Sequence, residues 1–377
     1  MAHRVYLDHH AATPVDPRVR AALVGLDELA WANPSSVHAE GRKSRASLER
    51  ARGQVAAAID ATATDVVLTA GGTEACNLAL QGVLSARGPA HVVTTDVEHP
   101  AVSAALRSLE QQGRIRVTRL SLPEGRPPDA SQLQAALAEP AALCAVQWVN
   151  HETGTIAPVA DYAAVCRAAG VPCFIDATQA FGKLPLSVAQ LGADLVALAS
   201  HKIGGGAGAG ALWVRRGLDL EPVLHGGGQE RGRRGGTPDV RAAVGFGAAC
   251  ALIGERLAHM PRLTELRDRL EAGLVGLGAV RNAAAGPRVA TCSNVYWPGR
   301  RADALVAALD LEGLAISAGS ACSSGTNEPS PVLLAMHASE PARAQASTRF
   351  SFGVENFESD VDFALSCCTS VVSRPEA

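Results

Sequence analysis

The run Ser200-His201-Lys202 closes the apolar stretch ADLVALAS (193–200). A lysine there can be a surface charge, the usual place for this side chain. It can also carry an aldehyde cofactor as a Schiff base, because burial beside apolar or cationic groups lowers a lysine's pKa and frees the nitrogen as a nucleophile. Asp176 ends a second apolar run, Cys173–Ile175. A carboxylate is costly to bury alone. It is therefore a helix cap, half of an ion pair, or the anion that keeps a pyridine nitrogen protonated so that the ring can accept electrons. Asp176 and Lys202 lie about two dozen residues apart, one strand–helix–strand step. Gly71-Gly72-Thr73 opens a helix directly after a strand, where free backbone N–H groups and the helix dipole favour a phosphate. His99 reads either as an ordinary loop histidine or as a ring lying flat on an aromatic cofactor.

These residues need elements to position them. VVLTAGG (66–72) reads as a strand running into a glycine turn, and Thr73–Leu80 as a helix. His91–Asp96 is a strand, and Ala101–Gln112 a helix ended by Gly113. Ala142–Asn150, Val171–Ala177 and Ala193–Ser200 are further strands, and Asp161 is a plausible N-cap for a helix closed by Gly170. The alternation of apolar strands with helices predicts an α/β fold with a large, mostly parallel sheet covered on both faces. After about Arg256, Leu263, Leu266, Leu270 and Leu274 recur at helical spacing, followed by shorter strands and polar loops. The expectation is a large domain over 16–255 and a smaller α+β domain from 1–15 and 256–377. In open α/β sheets, ligands bind beyond the carboxyl ends of the strands. Five such ends carry polar groups: Gly71–Thr73, Glu98–His99, Asn150–Glu152, Asp176–Gln179 and Ser200–Lys202.

Composition narrows the classes. The chain has 377 residues, 47% of them apolar, and a formal charge of −3. Nothing calls for nucleic acid or an anionic membrane, and no apolar run reaches the roughly 18 residues that span a bilayer. The start has no apolar signal segment, which makes the cytoplasm the expected compartment. Nine cysteines show no paired metal spacing and no dense secreted pattern, so reduced thiols are expected. The adjacent His9 and His10 are poorly placed to share a metal, and no structural zinc is expected. The glycine run Gly204–Gly210 leads into the strand-like ALWVRR, which is the wrong context for a dinucleotide fingerprint.

At this point the residues resemble the cysteine desulfurases of the NifS/IscS type, fold-type I pyridoxal-phosphate enzymes related to the class V aminotransferases. The resemblance runs from YLDHHAATPVDPRV (6–19) through NPSSVH (33–38), GGTEACN (71–77), EHPAV (98–102), VNHETG (149–154), DATQ (176–179) and HK (201–202). It continues with HGGGQERGRRGGT (225–237), SAGSACSSGTNEPS (317–330) and RFSFG (349–353). The joint order is highly specific. It implies that Lys202 holds pyridoxal 5′-phosphate, Asp176 pairs with the ring nitrogen, His99 stacks on the ring and Gln179 touches its hydroxyl. Gly72, Thr73, Ser200 and His201 would bind the phosphate, with Thr237 reaching in from the second subunit of a homodimer. Asn150 and Arg349, helped by Asn33, would hold the carboxylate of L-cysteine; Arg suits this because its planar fork meets a carboxylate with two parallel hydrogen bonds. Cys322 would take the sulfur as a persulfide and pass it to an acceptor protein, such as an iron–sulfur scaffold or a thiolation partner. The loop around Cys322 is polar, which disfavours reading it as a packed core thiol, and the loop is expected to be mobile.

The chain departs from the family in places. Ala199 stands where a serine is usual, Ala207 falls in a turn that commonly carries a lysine, and Gln229 replaces a frequent histidine. An aminotransferase or selenocysteine lyase on the same fold, and a non-catalytic relative, remain alternatives to a desulfurase.

Overall fold

The computed structural model describes residues 3–26, 31–85, 90–318 and 329–374. Its strands are β1 (Val5–Tyr6), β2 (Val66–Thr69), β3 (Ala90–Thr95), β4 (Ile115–Leu120), β5 (Leu143–Gln147), β6 (Cys173–Asp176), β7 (Leu195–Ala199), β8 (Gly210–Val214), β9 (Val280–Arg281), β10 (Cys292–Tyr296), β11 (Leu314–Ala315), β12 (Ser317–Ala318) and β13 (Ser347–Ser351). Its α-helices are α1 (Pro17–Val24), α2 (Ala39–Ala57), α3 (Gly72–Leu84), α4 (Pro100–Gln111), α5 (Ala130–Ala136), α6 (Val159–Ala168), α7 (Val188–Leu191), α8 (Val240–Cys250), α9 (Ile253–Ala258), α10 (Met260–Gly276), α11 (Ala302–Leu311), α12 (Pro331–Met336) and α13 (Glu358–Val372).

Seven strands form the large sheet in the order β2-β8-β7-β6-β5-β3-β4. The pairs β4/β3, β3/β5, β5/β6 and β6/β7 are parallel, whereas β8 runs antiparallel to both of its neighbours. The strand sequences explain why both faces are covered. On β5 to β7, Leu143, Ala145, Phe174, Leu195 and Ala197 enter one apolar core beside α3 and α4. Their alternates Cys144, Val146, Cys173, Ile175, Val196 and Leu198 enter the other, beside α2, α6 and α8. A strand buried on both faces shows a continuous apolar run rather than alternation, as these do.

The second sheet is antiparallel, ordered β12-β13-β10-β9. Against it lie α10, α11 and α13, and the predicted leucine stripe of α10 (Leu263, Leu266, Leu270, Leu274) is fully buried there. Burying each such side chain contributes roughly 1.5–3 kcal/mol. The N-terminal segment joins this layer: β1 pairs in parallel with β11, and Asp8 bridges to Ser351.

One local expectation is corrected. Asp161 does not cap its helix, because α6 begins at Val159 with Pro158 in the cap position and Asp161 inside the first turn. The ring of Pro158 fixes its φ at −79°, which suits chain entry to a helix, and an acid one turn in still meets the positive end of the dipole.

Candidate active site

The carboxyl ends of the parallel strands, the start of α3, the N-terminal segment and β13 surround one cavity of about 740 Å³. Register sets its floor: Gln147 on β5 is level with Asp176 on β6, and Asp176 is level with Ala197 on β7. β7 then turns through one 3-10 turn, 200–202. Such a turn has three residues per revolution, so its side chains diverge by about 120°. His201 and Lys202 line the cavity. Ser200 faces away and is fully buried, its hydroxyl beside Gly205 and without a hydrogen-bond partner among the described residues.

Lys202 donates from Nζ to the carbonyls of His10 (2.6 Å) and Ala11 (3.0 Å). Asp176 is 5% exposed, and its Oδ1 accepts from the Thr178 N–H at 3.0 Å. The Cys76 thiol of α3 bonds to the same carboxylate; burial first, then the charges of Asp176 and Glu98, hold that thiol well above its ordinary pKa. His99 caps α4 by accepting the Ala101 N–H at Nδ1 (3.0 Å), and its ring meets His151 edge-on at 4.9 Å. Accepting at Nδ1 assigns the imidazole proton to Nε2.

Four histidines line this cavity, His10, His99, His151 and His201, and burial depresses the pKa of each. His201 falls to about 4, pushed by burial and then by the cations Lys202 and Lys183. All four rings are therefore neutral near pH 7. Glu98, just behind Asp176, accepts from the Thr95 hydroxyl at one carboxylate oxygen, and the other has no hydrogen-bond partner among the described residues. Burial, with some repulsion from Asp176, raises its pKa to about 8, so it is a neutral acid at pH 7.

The substrate residues expected from the sequence separate. Arg349 lines the cavity at 2% exposure. It donates to the His151 carbonyl (3.0 Å), Asp8 Oδ1 (2.8 Å) and Ser317 Oγ (3.2 Å), and its Nε is buried without a partner among the described residues. Asn150 is outside the lining. Its amide is spent on its own turn: Oδ1 accepts from the N–H groups of Glu152 and Thr153, and Nδ2 donates to the Val97 carbonyl. Asn33 and Thr237 are exposed and do not line the cavity of this chain. Asn33 accepts from the Ser35 N–H instead. Cys322 lies outside the described residues, as does the expected mobility of its loop.

Sequence reasoning passed over His10, Cys76 and Gln147, all of which line the cavity. Gln147 left a signal, a polar residue inside the apolar strand β5. Cys76 left none, since a cysteine early in a helix reads as core.

The family model for Aminotransferase class-V matches residues 5–363. The chain belongs to the class-V aminotransferase family. It is 40% identical to an IscS-like cysteine desulfurase of Mycobacterium tuberculosis, over 98% of this chain and 96% of the relative. It is 37% identical to a cysteine desulfurase of Enterobacter agglomerans, over 98% and 93%. Among solved structures, a NifS-like protein superposes with a TM-score of 0.90 at 29% identity, covering 98% of this chain and all of the other. A structure described as SspA in complex with cysteine gives 0.81 at 31% identity, covering 94% of this chain and 100% of that one.

The family depends on pyridoxal 5′-phosphate, and this cavity fits that group. The volume is in the range of small-ligand sites. Helix α3 has no side-chain cap, so its first N–H groups are open to a phosphate. At Gly72 a Cβ would come within 3.2 Å of Ala199 Cβ and Thr178 Oγ1, so glycine lets the start of α3 pack tightly against β7 and the Thr178 turn at the cavity's edge. Asp176 and Lys202 supply the carboxylate and the amine that the ring nitrogen and the aldehyde require.

Proposed function

We propose that this protein is a pyridoxal-phosphate-dependent cysteine desulfurase. It removes sulfur from L-cysteine, releases L-alanine and keeps the sulfur as a persulfide on Cys322. The observation that carries this reading is the placement of Lys202 and Asp176 at the ends of adjacent parallel strands, facing the uncapped start of α3. Nearly full-length likeness to proteins named cysteine desulfurases supports the substrate.

When bound, the cofactor supplies an electron sink for the substrate's α-carbon. The chain's residues do the rest. Lys202 would hold the cofactor, and its amine, when free, would move the α-proton of the substrate. Asp176 would pair with the ring nitrogen, with the Cys76 thiol and the Thr178 N–H holding its carboxylate in place. His99 covers the ring as a neutral imidazole. Gly72, Thr73 and the neutral His201 receive the phosphate, joined by Thr237 from the second subunit of a homodimer. Arg349 takes the substrate carboxylate, for which its buried Nε is still available. Asn150 shapes the His151–Thr153 turn behind it. In the transfer, the Cβ–S bond of L-cysteine breaks and an S–S bond forms at the Cys322 thiolate. The carbon fragment keeps the electron pair and is protonated to alanine, so L-cysteine and thiol become alanine and persulfide. An acceptor protein then removes the sulfur.

The test is release of alanine and sulfide from L-cysteine with dithiothreitol, comparing the wild type with Cys322→Ala. The wild type is expected to yield both products. The variant should keep its yellow cofactor and yield neither. A wild type that binds cofactor but exchanges amino groups without making alanine would replace this reading with an aminotransferase.

A further inference from the structure

Lys183 is a buried lysine, 8% exposed, and it forms no ion pair with a carboxylate among the described residues. An apolar side chain of similar length would be cheaper there, because an amine taken out of water needs compensation. Its Nζ makes two bonds, both to Gln179: to the side-chain Oε1 at 2.8 Å and to the backbone carbonyl at 3.1 Å. The far end of the same carboxamide is also fixed, since Gln179 Nε2 donates to the His10 carbonyl at 2.8 Å. That carbonyl accepts from Lys202 Nζ as well. Lys183, Gln179, the His10 carbonyl and Lys202 thus form one chain of hydrogen bonds, and its last three members line the cavity.

A carboxamide can turn over, exchanging its oxygen and nitrogen. Here it cannot: the His10 carbonyl only accepts, so it requires nitrogen on its side, and an N–H of Lys183 requires oxygen on the other. Gln179 Nε2 has two N–H groups and spends one on His10, which leaves one donor for a group bound in the cavity.

We propose that Lys183 is a positioning residue for the cofactor: it locks the Gln179 carboxamide so that an N–H, not a carbonyl, meets the ring oxygen, and couples that contact to Lys202 through the His10 carbonyl. This rests on reading the cavity as the pyridoxal-phosphate site. The neighbourhood agrees with a role beyond packing. Burial and the nearby Lys202 push the Lys183 pKa well below its ordinary value, and its charge in turn depresses His9, His10 and His201.

The experiment is a double-mutant cycle, reading pyridoxal-phosphate affinity and the visible absorption of the loaded protein. Lys183→Met is expected to weaken binding about tenfold, the scale of one hydrogen bond to a charged oxygen, and to shift the visible band. In a Gln179→Leu background the same change should cost less than about twofold, because its effect passes through Gln179. Equal losses in both backgrounds, or a Lys183→Met protein indistinguishable from wild type, would overturn the assignment. Gln179→Glu provides an independent arm that does not depend on Lys183→Met folding. It keeps a partner for Lys183 but removes the donor. It too should bind about tenfold more weakly, and wild-type affinity would refute the donor role. A wild type that takes up no cofactor would overturn the site reading itself, a different result from any of these.

Discussion

Replacing Glu98 by glutamine isolates one buried acid beside the site. Glu98 is 4% exposed, and burial lifts its pKa from 4.5 to about 8. Below pH 4.5 the folded and unfolded chains both hold this proton, and above pH 8 both have lost it. Between these limits the unfolded chain releases the proton while the folded chain keeps it. The folded state then binds more protons, so stability falls as pH rises. The slope is about 1.4 kcal/mol per pH unit, so roughly 3 kcal/mol disappears between about pH 5.5 and 7.5. The substituted amide has no proton to lose, and its carbonyl can still accept from Thr95. Its nitrogen takes the place of an oxygen that already lacks a partner, a penalty that does not vary with pH. The assay is urea unfolding of the cofactor-free proteins across that range at one protein concentration. Other titrating groups, including Glu152 near 7 and the depressed histidines, are common to both proteins and cancel in the difference. The wild-type curve should fall below the Glu98→Gln curve by about 3 kcal/mol as pH rises. Parallel curves would refute the reasoning and mean that Glu98 is ionised in the folded protein.

Gly72→Ala puts a methyl 3.2 Å from Thr178 Oγ1 and Ala199 Cβ, forcing a shift of a few tenths of an ångström. Overpacking of this kind costs roughly 1–3 kcal/mol and should appear as cofactor affinity lowered about tenfold with an unchanged circular dichroism spectrum. Glu230→Ala removes the buried one of the two carboxylates that pair with Arg52 (3% exposed), leaving it only the half-exposed Glu49, and it takes away the acceptor of the Leu68 N–H, so unfolding free energy should drop by about 3 kcal/mol. Replacing both Arg52 and Glu230 by Met should recover the part of that loss that comes from the buried charge, and the Leu68 N–H, without its acceptor in both variants, should keep the rest in the same denaturation assay.

The residues that follow a strand directly were the legible part of this molecule. Apolar runs ending in polar triplets marked the sheet's carboxyl edge, and Asp176, His99, His201 and Lys202 were found there because adjacency in sequence became adjacency in space. Residues brought from afar were not legible in this way. His10 reaches the cavity because Val5 pairs with Leu314 and Asp8 with Ser351, contacts that no local pattern announces. Within a single turn, type alone could not decide between Ser200 and its neighbour, whereas the threefold geometry of 200–202 does. Asn150 shows the same limit: its position was read from resemblance, but its amide serves the backbone around it.

The N-terminal carbonyls that hold Lys202 bear on the order in which the protein is made. Residues 5–11 leave the ribosome before the rest of the cavity, yet β1 cannot make its pairing with β11, nor Asp8 its bridge to β13, until those strands have been synthesised. Contacts between such distant parts of a chain form late and slowly. The large sheet, whose strands lie between 66 and 214, can assemble while the start of the chain still waits. The wall that closes over Lys202 is therefore the last part of the cavity to arrive, and a cofactor captured with that wall in place is captured after translation has passed residue 351.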